Sequence, residues 1–143
     1  MNTEYESVFY AWARENAALL RSGQLSRVDL DHIAEELEDL GKSERRALGS
    51  HLRVLLTHLL KWRYQPSHRG ISWRLSIRNA RLDIAAITKD SPSLKPQIPA
   101  LLADEYPGAR SLALDETGLP ATAMPTGCPF DVAQVLDADY WPE

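Results

Sequence analysis

His51 and His58 stand seven residues apart in a leucine-rich stretch, and neutral imidazole is the commonest metal ligand among side chains. Two helical turns separate them by about 10 Å of backbone rise. They chelate one ion only if another helix inserts a carboxylate between them. With that condition they are the metal candidates for an enzyme; without it they are core or boundary histidines. His32 and Glu36, spaced i,i+4, can reach one cation, but two ligands are not a site, and their face reads as solvated charge. The Glu-x-x-His pair repeated on two helices, which builds di-metal bundles, is absent. Cys128 precedes Pro129 with no helix N-terminus behind it to favour a thiolate. The chain has no G-x-S-x-G, P-loop, G-x-G-x-x-G or paired C-x-x-C. The neighbouring acids Glu35/Glu36 and Asp104/Glu105 point about 100° apart on a helix, too divergent for paired acid–base work. No catalytic residue and no cofactor is assigned.

The second chemistry is anion binding. From Arg45 to Leu82 the chain has nine Lys or Arg and no Asp or Glu, although the 143-residue protein carries a formal charge of −4. Residues 51–82 hold seven basic and no acidic side chains, while residues 1–50 and 83–143 hold ten acids each, against six and three bases. Like charges on neighbouring turns repel unless opposite charge is near. Arg63, His68, Arg69 and Arg74 surround a short connection, with Tyr64 and Trp73 interleaved. That mixture suits stacking on bases and contacts to phosphates, and it makes the 61–81 segment a candidate nucleic-acid or polyanion face. Mild net acidity opposes a dedicated nucleic-acid binder. On a helical wheel Arg74, Arg78 and Arg81 fall within about 60° of one another, between two apolar stripes. An arginine ridge so flanked belongs over a helix seam, its alkyl stems covering apolar surface. Glu36 and Glu38, or acids of the last third, are the expected internal partners, held by the planar guanidinium fork.

Helical periodicity positions all of these residues, and no stretch alternates with period two. A first helix is expected from about Glu4 to Ser22, with Tyr5, Val8, Phe9, Trp12, Leu19 and Leu20 on one face and Gly23 as its stop. Ser26 and Asp29 suggest a capping box for a second helix, whose stripe is Leu30, Ile33, Ala34, Leu37 and Leu40. Gly41 is either a break or only a bend. The third helix, Ser43 to about Tyr64, is apolar on most sides (Leu48, Leu52, Leu55, Leu56, Leu59, Leu60, Trp62) and belongs at the centre of a bundle. A fourth runs from Ile71 to Lys89. A fifth starts near Leu94 with Pro96 in its first turn, kinks at Pro107-Gly108 and ends at Gly118. The proline-rich stretch after it should run extended over the bundle, Asp131 capping a short helix to about Leu136 and Phe130, Tyr140 and Trp141 anchoring the end.

FYAWARENAALLRSGQ, DLDHIAEELEDLGKSERRALGSHLRVLLTHLLKW, RYQPSHRGISWRLSI and CPFDVAQVLDADYWPE together resemble a bacterial family catalogued as domain of unknown function twenty-nine. The resemblance covers nearly the whole chain in order. It implies a bacterial, all-helical, single-domain protein and supplies no reaction, ligand or catalytic residue.

The expected fold is all-α: a single domain over residues 1–143, an up-and-down bundle of four to five helices over about 4–117, and a C-terminal wrapping segment over about 118–143. No run reaches the ~18 apolar residues of a membrane span, no basic-then-apolar leader is visible, and one cysteine fits a reducing compartment. A cytoplasmic location follows, with no membrane partner. The leading expectation for function is a non-enzymatic protein-interaction or accessory module with a protein partner. A polyanion binder comes second and a metal-dependent enzyme third.

Overall fold

The computed structural model describes residues 8–143; the expected helix start at Glu4 and the face position of Tyr5 lie outside the described residues. Among the described residues five α-helices follow in order: α1 (Phe9–Arg21), α2 (Leu30–Tyr64), α3 (Ile71–Asp90), α4 (Ile98–Thr117) and α5 (Val132–Leu136). Short 3-10 turns precede or link them, and no strand occurs among the described residues. The fold is all-α, as the periodicity predicts. The chain forms two compact units, Met1–Gly41 and Lys42–Glu143.

In the first unit α1 folds back on the opening of α2. Gly23, at φ 76°, ends α1: its N–H reaches the Leu20 carbonyl at 3.1 Å and that of Gln24 reaches Leu19 at 3.0 Å. These two bonds satisfy carbonyls that a helix end leaves orphaned, and the left-handed turn suits a residue without Cβ. The start of α2 differs from expectation. Residues Leu25–Arg27 form a 3-10 turn, and Asp29, not Ser26, stands at the cap, its backbone carbonyl taking the Ile33 N–H at 3.0 Å. Its carboxylate is also the centre of the turn's polar cluster. Oδ2 accepts from Trp12 Nε1 at 2.8 Å and from His32 Nδ1 at 2.6 Å, while the Asp29 N–H donates to Asn16 Oδ1 at 2.8 Å. The Trp12 hydrogen bond is the main reason the Asp29 carboxyl is held below its ordinary range.

The expected second and third helices are one helix. α2 passes Gly41 without a break, and a Cβ at Gly41 would meet nothing within 4 Å.

The second unit is built around the C-terminal half of α2. Leu48, Leu52, Leu55, Leu56, Leu59 and Leu60 are fully buried, joined by Ile77, Ala80 and Ile84 of α3 and by Ile98, Leu101, Leu102, Tyr106, Ala109 and Ala113 of α4. This confirms the central position expected of so apolar a helix. Gly49 faces α4: a Cβ there would stand 3.1 Å from Oε1 at the flexible end of Glu105. α4 begins later than expected. Pro92–Gln97 is a 3-10 turn, and Pro99 occupies the first turn of the α-helix. Pro107 and Gly108 do not interrupt it. Pro107 cannot donate to the Ala103 carbonyl, but both residues lie on the exposed side, where water can take the freed acceptor. Gly118, at φ 71°, ends α4 where expected.

The segment after Gly118 contributes core rather than merely covering it. Met124, Phe130, Val135 and Pro142 are buried, Trp141 packs on Trp62 with ring centroids 4.8 Å apart, and Phe130 meets Tyr140 edge-on at 6.3 Å. Asp131 and Gln134 close a reciprocal capping box on α5.

Candidate ligand and partner sites

The basic segment is divided by what each guanidinium touches. Arg81 is 7% exposed; Nε donates to the Val135 carbonyl at 2.9 Å and Nη2 to that of Gln134 at 3.1 Å. These are carbonyls at the C-terminal end of α5, where the helix leaves acceptors unfilled. The expected carboxylate partner is thus replaced by main chain. Burial lowers the Arg81 pKa, and the nearby Asp137 charge opposes that shift. Arg74 and Arg78 lie exposed on α3, and among the described residues no ion pair includes Arg74, Arg78 or Arg81. Glu36 is half-buried and Glu38 exposed in the first unit.

Arg69 has the same use as Arg81. Nε donates to the Trp62 carbonyl at 2.7 Å, Nη2 to that of Pro142 at 3.2 Å, and its guanidinium carbon sits 5.0 Å from the centre of the Trp62 ring. Arg110 repeats the pattern on the carbonyls of Ala121 (2.7 Å) and Met124 (3.2 Å). Of the four residues expected around the connection, Arg63, His68 and Arg74 are exposed, and Arg69 is engaged internally. Arg63 rests near the Tyr64 and Phe130 rings, at 5.5 and 6.0 Å, and edges a hollow of about 440 Å³ with Asp139, Tyr140, Trp141 and Glu143.

The histidines do not converge. His51 Nδ1 lies 3.6 Å from Asp83, while His58 Nδ1 donates to the Val54 carbonyl of its own helix at 2.8 Å. Burial holds the His58 pKa below its usual value, favouring neutral imidazole. Among the described residues no three His, Cys, Asp or Glu side chains are grouped to hold a metal ion. The Cys128 thiol is half-buried, donates to the Phe130 carbonyl at 3.3 Å and has its pKa pushed up by burial, which disfavours the nucleophilic thiolate. Tyr106 is pushed up to about 12, chiefly by burial, and its hydroxyl donates to the Pro125 carbonyl at 2.5 Å.

Two features were not anticipated from sequence. Lys61, buried among leucines, reaches Glu116 of α4 at 2.5 Å with its ammonium 5.2 Å from the Trp73 ring centre. Fifty-five positions separate the pair, and no local pattern announces it. The other is an apolar groove of about 280 Å³ within the first unit, between α1 (Phe9, Trp12, Ala17, Leu20) and α2 (Leu37, Leu40). Leu37 and Leu40 are 64% and 63% exposed, and Leu20 is also exposed. Their apolar stripe is evident in the sequence, but periodicity alone does not say whether a stripe is covered.

No helix among the described residues is long and apolar enough to cross a membrane. A family model described as "Domain of unknown function DUF29" matches residues 4–141. No curated protein and no solved structure matches the chain.

Proposed function

The chain belongs to the DUF29 family, whose description gives no activity, and from its own residues we propose that it is a non-enzymatic protein-interaction module whose groove on residues 8–41 takes a basic amphipathic helix of a partner protein. The open apolar groove carries this proposal. Large leucines left exposed together, rather than singly, mark interaction surfaces. A groove between two helices is the shape that receives the apolar face of a third. Charge selects the occupant: residues 8–41 carry seven carboxylates against three arginines, so Lys or Arg flanking the partner's apolar face is favoured and an acidic helix is repelled. A bacterial cytoplasmic setting belongs to the same proposal and keeps Cys128 reduced.

The polyanion alternative through 61–81 has less support, because Arg69 and Arg81 are engaged by the chain's own carbonyls. The metal-enzyme alternative lacks a third ligand near His51 or His58 among the described residues.

The test compares full-length protein with the double variant Leu37→Asp/Leu40→Asp in binding a synthetic Leu/Lys amphipathic helical peptide and its Leu/Glu counterpart. The expected result is saturable binding of the Leu/Lys peptide to wild type, weakened by salt and lost in the variant, with unchanged melting. Equal binding by the variant overturns the proposal. So does a loss of stability as large as a core substitution gives, which would show the two leucines covered within the protein.

A further inference from the structure

The side of α3 turned away from the core carries an apolar row. Ile71, Leu75 and Leu82 fall within about 40° of one another on the helix, roughly opposite the buried Ala80 and Ile84. They are 74%, 48% and 62% exposed. Large apolar side chains exposed in a row, rather than singly, mark an interaction surface. Arg78 lies within the row and Arg74 beside it, both exposed, and among the described residues neither belongs to an ion pair. No acid occurs from Ile71 to Leu82. Asp139 edges a hollow with Arg78 and offsets part of its charge, while Asp83, on the flank away from Arg74, faces His51 at 3.6 Å. The outward face of α3 is thus basic and amphipathic.

Given the preference of the groove on residues 8–41 for a basic amphipathic helix, on which the assignment rests, we propose that its occupant is α3 of a second copy of this chain. Charge is complementary: the groove's unit carries seven carboxylates against three arginines, with Glu36 on the groove wall, and Arg74 and Arg78 are its counterpart. Spacing is complementary as well. Leu75 and Leu82 are seven positions apart, as are Ile33 and Leu40 on the α2 wall, so each row runs about 10 Å along its helix. Ile71, Leu75 and Leu82 supply the anchors, at i, i+4 and i+11, with which a helix reads such a groove. An anionic membrane surface also takes basic amphipathic faces, but it leaves Leu37 and Leu40 without an occupant. The contact joins two different surfaces and is therefore heterologous.

Analytical ultracentrifugation of the full chain, at concentrations up to about 1 mM, is the test. Wild type should associate as concentration rises, and added salt should weaken the association. Leu75→Glu/Leu82→Glu on α3 and Leu37→Asp/Leu40→Asp in the groove should each remain single chains with unchanged melting. An equimolar mixture of these two variants should form a one-to-one pair, because each supplies the face that the other lacks. Arg74→Gln/Arg78→Gln keeps the apolar row and should weaken self-association about fivefold or more. A wild type that stays a single chain throughout overturns the assignment, while the groove proposal stands or falls separately on the Leu/Lys peptide. Capture of phosphatidylglycerol vesicles by such a monomer, lost in the α3 variant, gives the α3 face to a membrane surface and overturns it too. So does association that survives loss of either leucine pair, association indifferent to the two arginines, or a mixture of the leucine variants that fails to pair.

Discussion

Lys61 and Glu116 form an asymmetric pair: the ammonium is buried and the carboxylate half-exposed. Removing either end therefore has unequal consequences. Glu116→Gln leaves a buried cation with a weaker acceptor, which should destabilise the second unit by about 1–2 kcal/mol, less than the ~3–5 kcal/mol of a fully buried pair because water reaches the Glu116 side. Lys61→Met keeps the packing under Trp73 and removes the charge needing compensation, so its cost should stay within about 1 kcal/mol. Urea unfolding of the two variants checks the order. Equal losses would mean that the ion pair contributes no more than the alkyl stem. The Arg81 outcome follows similar reasoning. Its wheel position lies between two apolar stripes, and its hydrogen-bond acceptors are main-chain carbonyls of α5 rather than carboxylates. A carbonyl has no side-chain signature, so an arginine that binds main chain cannot be matched to its acceptor by pairing opposite charges along a sequence.

At the scale of elements, most boundaries were legible because their causes are local. Gly23 and Gly118 stop helices through positive φ, and Asp131 starts one through a reciprocal cap. The positions that local preference left open, or read as a kink, are those where it met tertiary context. Gly41 and Pro107 weaken helices in isolation, yet α2 and α4 pass through them, Pro107 because its freed acceptor faces water. The two glycine types predict opposite responses. Gly41→Ala adds a Cβ into open space on a continuous helix and should stabilise by ~0.5–1 kcal/mol. Gly118→Ala puts a Cβ on a left-handed residue and should cost about 1 kcal/mol although that site is equally open. Thermal melts followed at 222 nm separate the two; a same-sign shift would contradict the assignment of Gly118 as a left-handed stop.

At the scale of the molecule, the second unit depends on its C-terminal segment. Phe130 is buried against the helical core and edges Tyr140, so Phe130→Ala should cost about 3–5 kcal/mol, as a core substitution does. Ala133→Ser on the exposed side of α5 should change stability by less than ~0.5 kcal/mol. Denaturant titration with tryptophan fluorescence reports both. A small loss at Phe130 would mean the segment lies on the core without completing it. The anchors Phe130, Tyr140 and Trp141 were legible as aromatic residues in a polar, proline-rich stretch. The groove on residues 8–41 was legible only as a stripe, since exposure depends on what the rest of the chain leaves uncovered.

The arginine clasp on the last twenty-five residues has a consequence for how this protein can vary. Arg69, Arg81 and Arg110 grip oxygens that every amino acid carries, so these contacts to Ala121, Gln134 and Pro142 do not themselves depend on the side chains there, although Gln134 also caps α5 and Pro142 is buried. Replacing a gripped residue preserves the acceptor, whereas replacing the gripping arginine removes all of its donors at once. The two sides of each contact therefore differ in heritable freedom: three codons in the helical body are constrained, while their counterparts in the segment can drift as far as backbone geometry and packing permit.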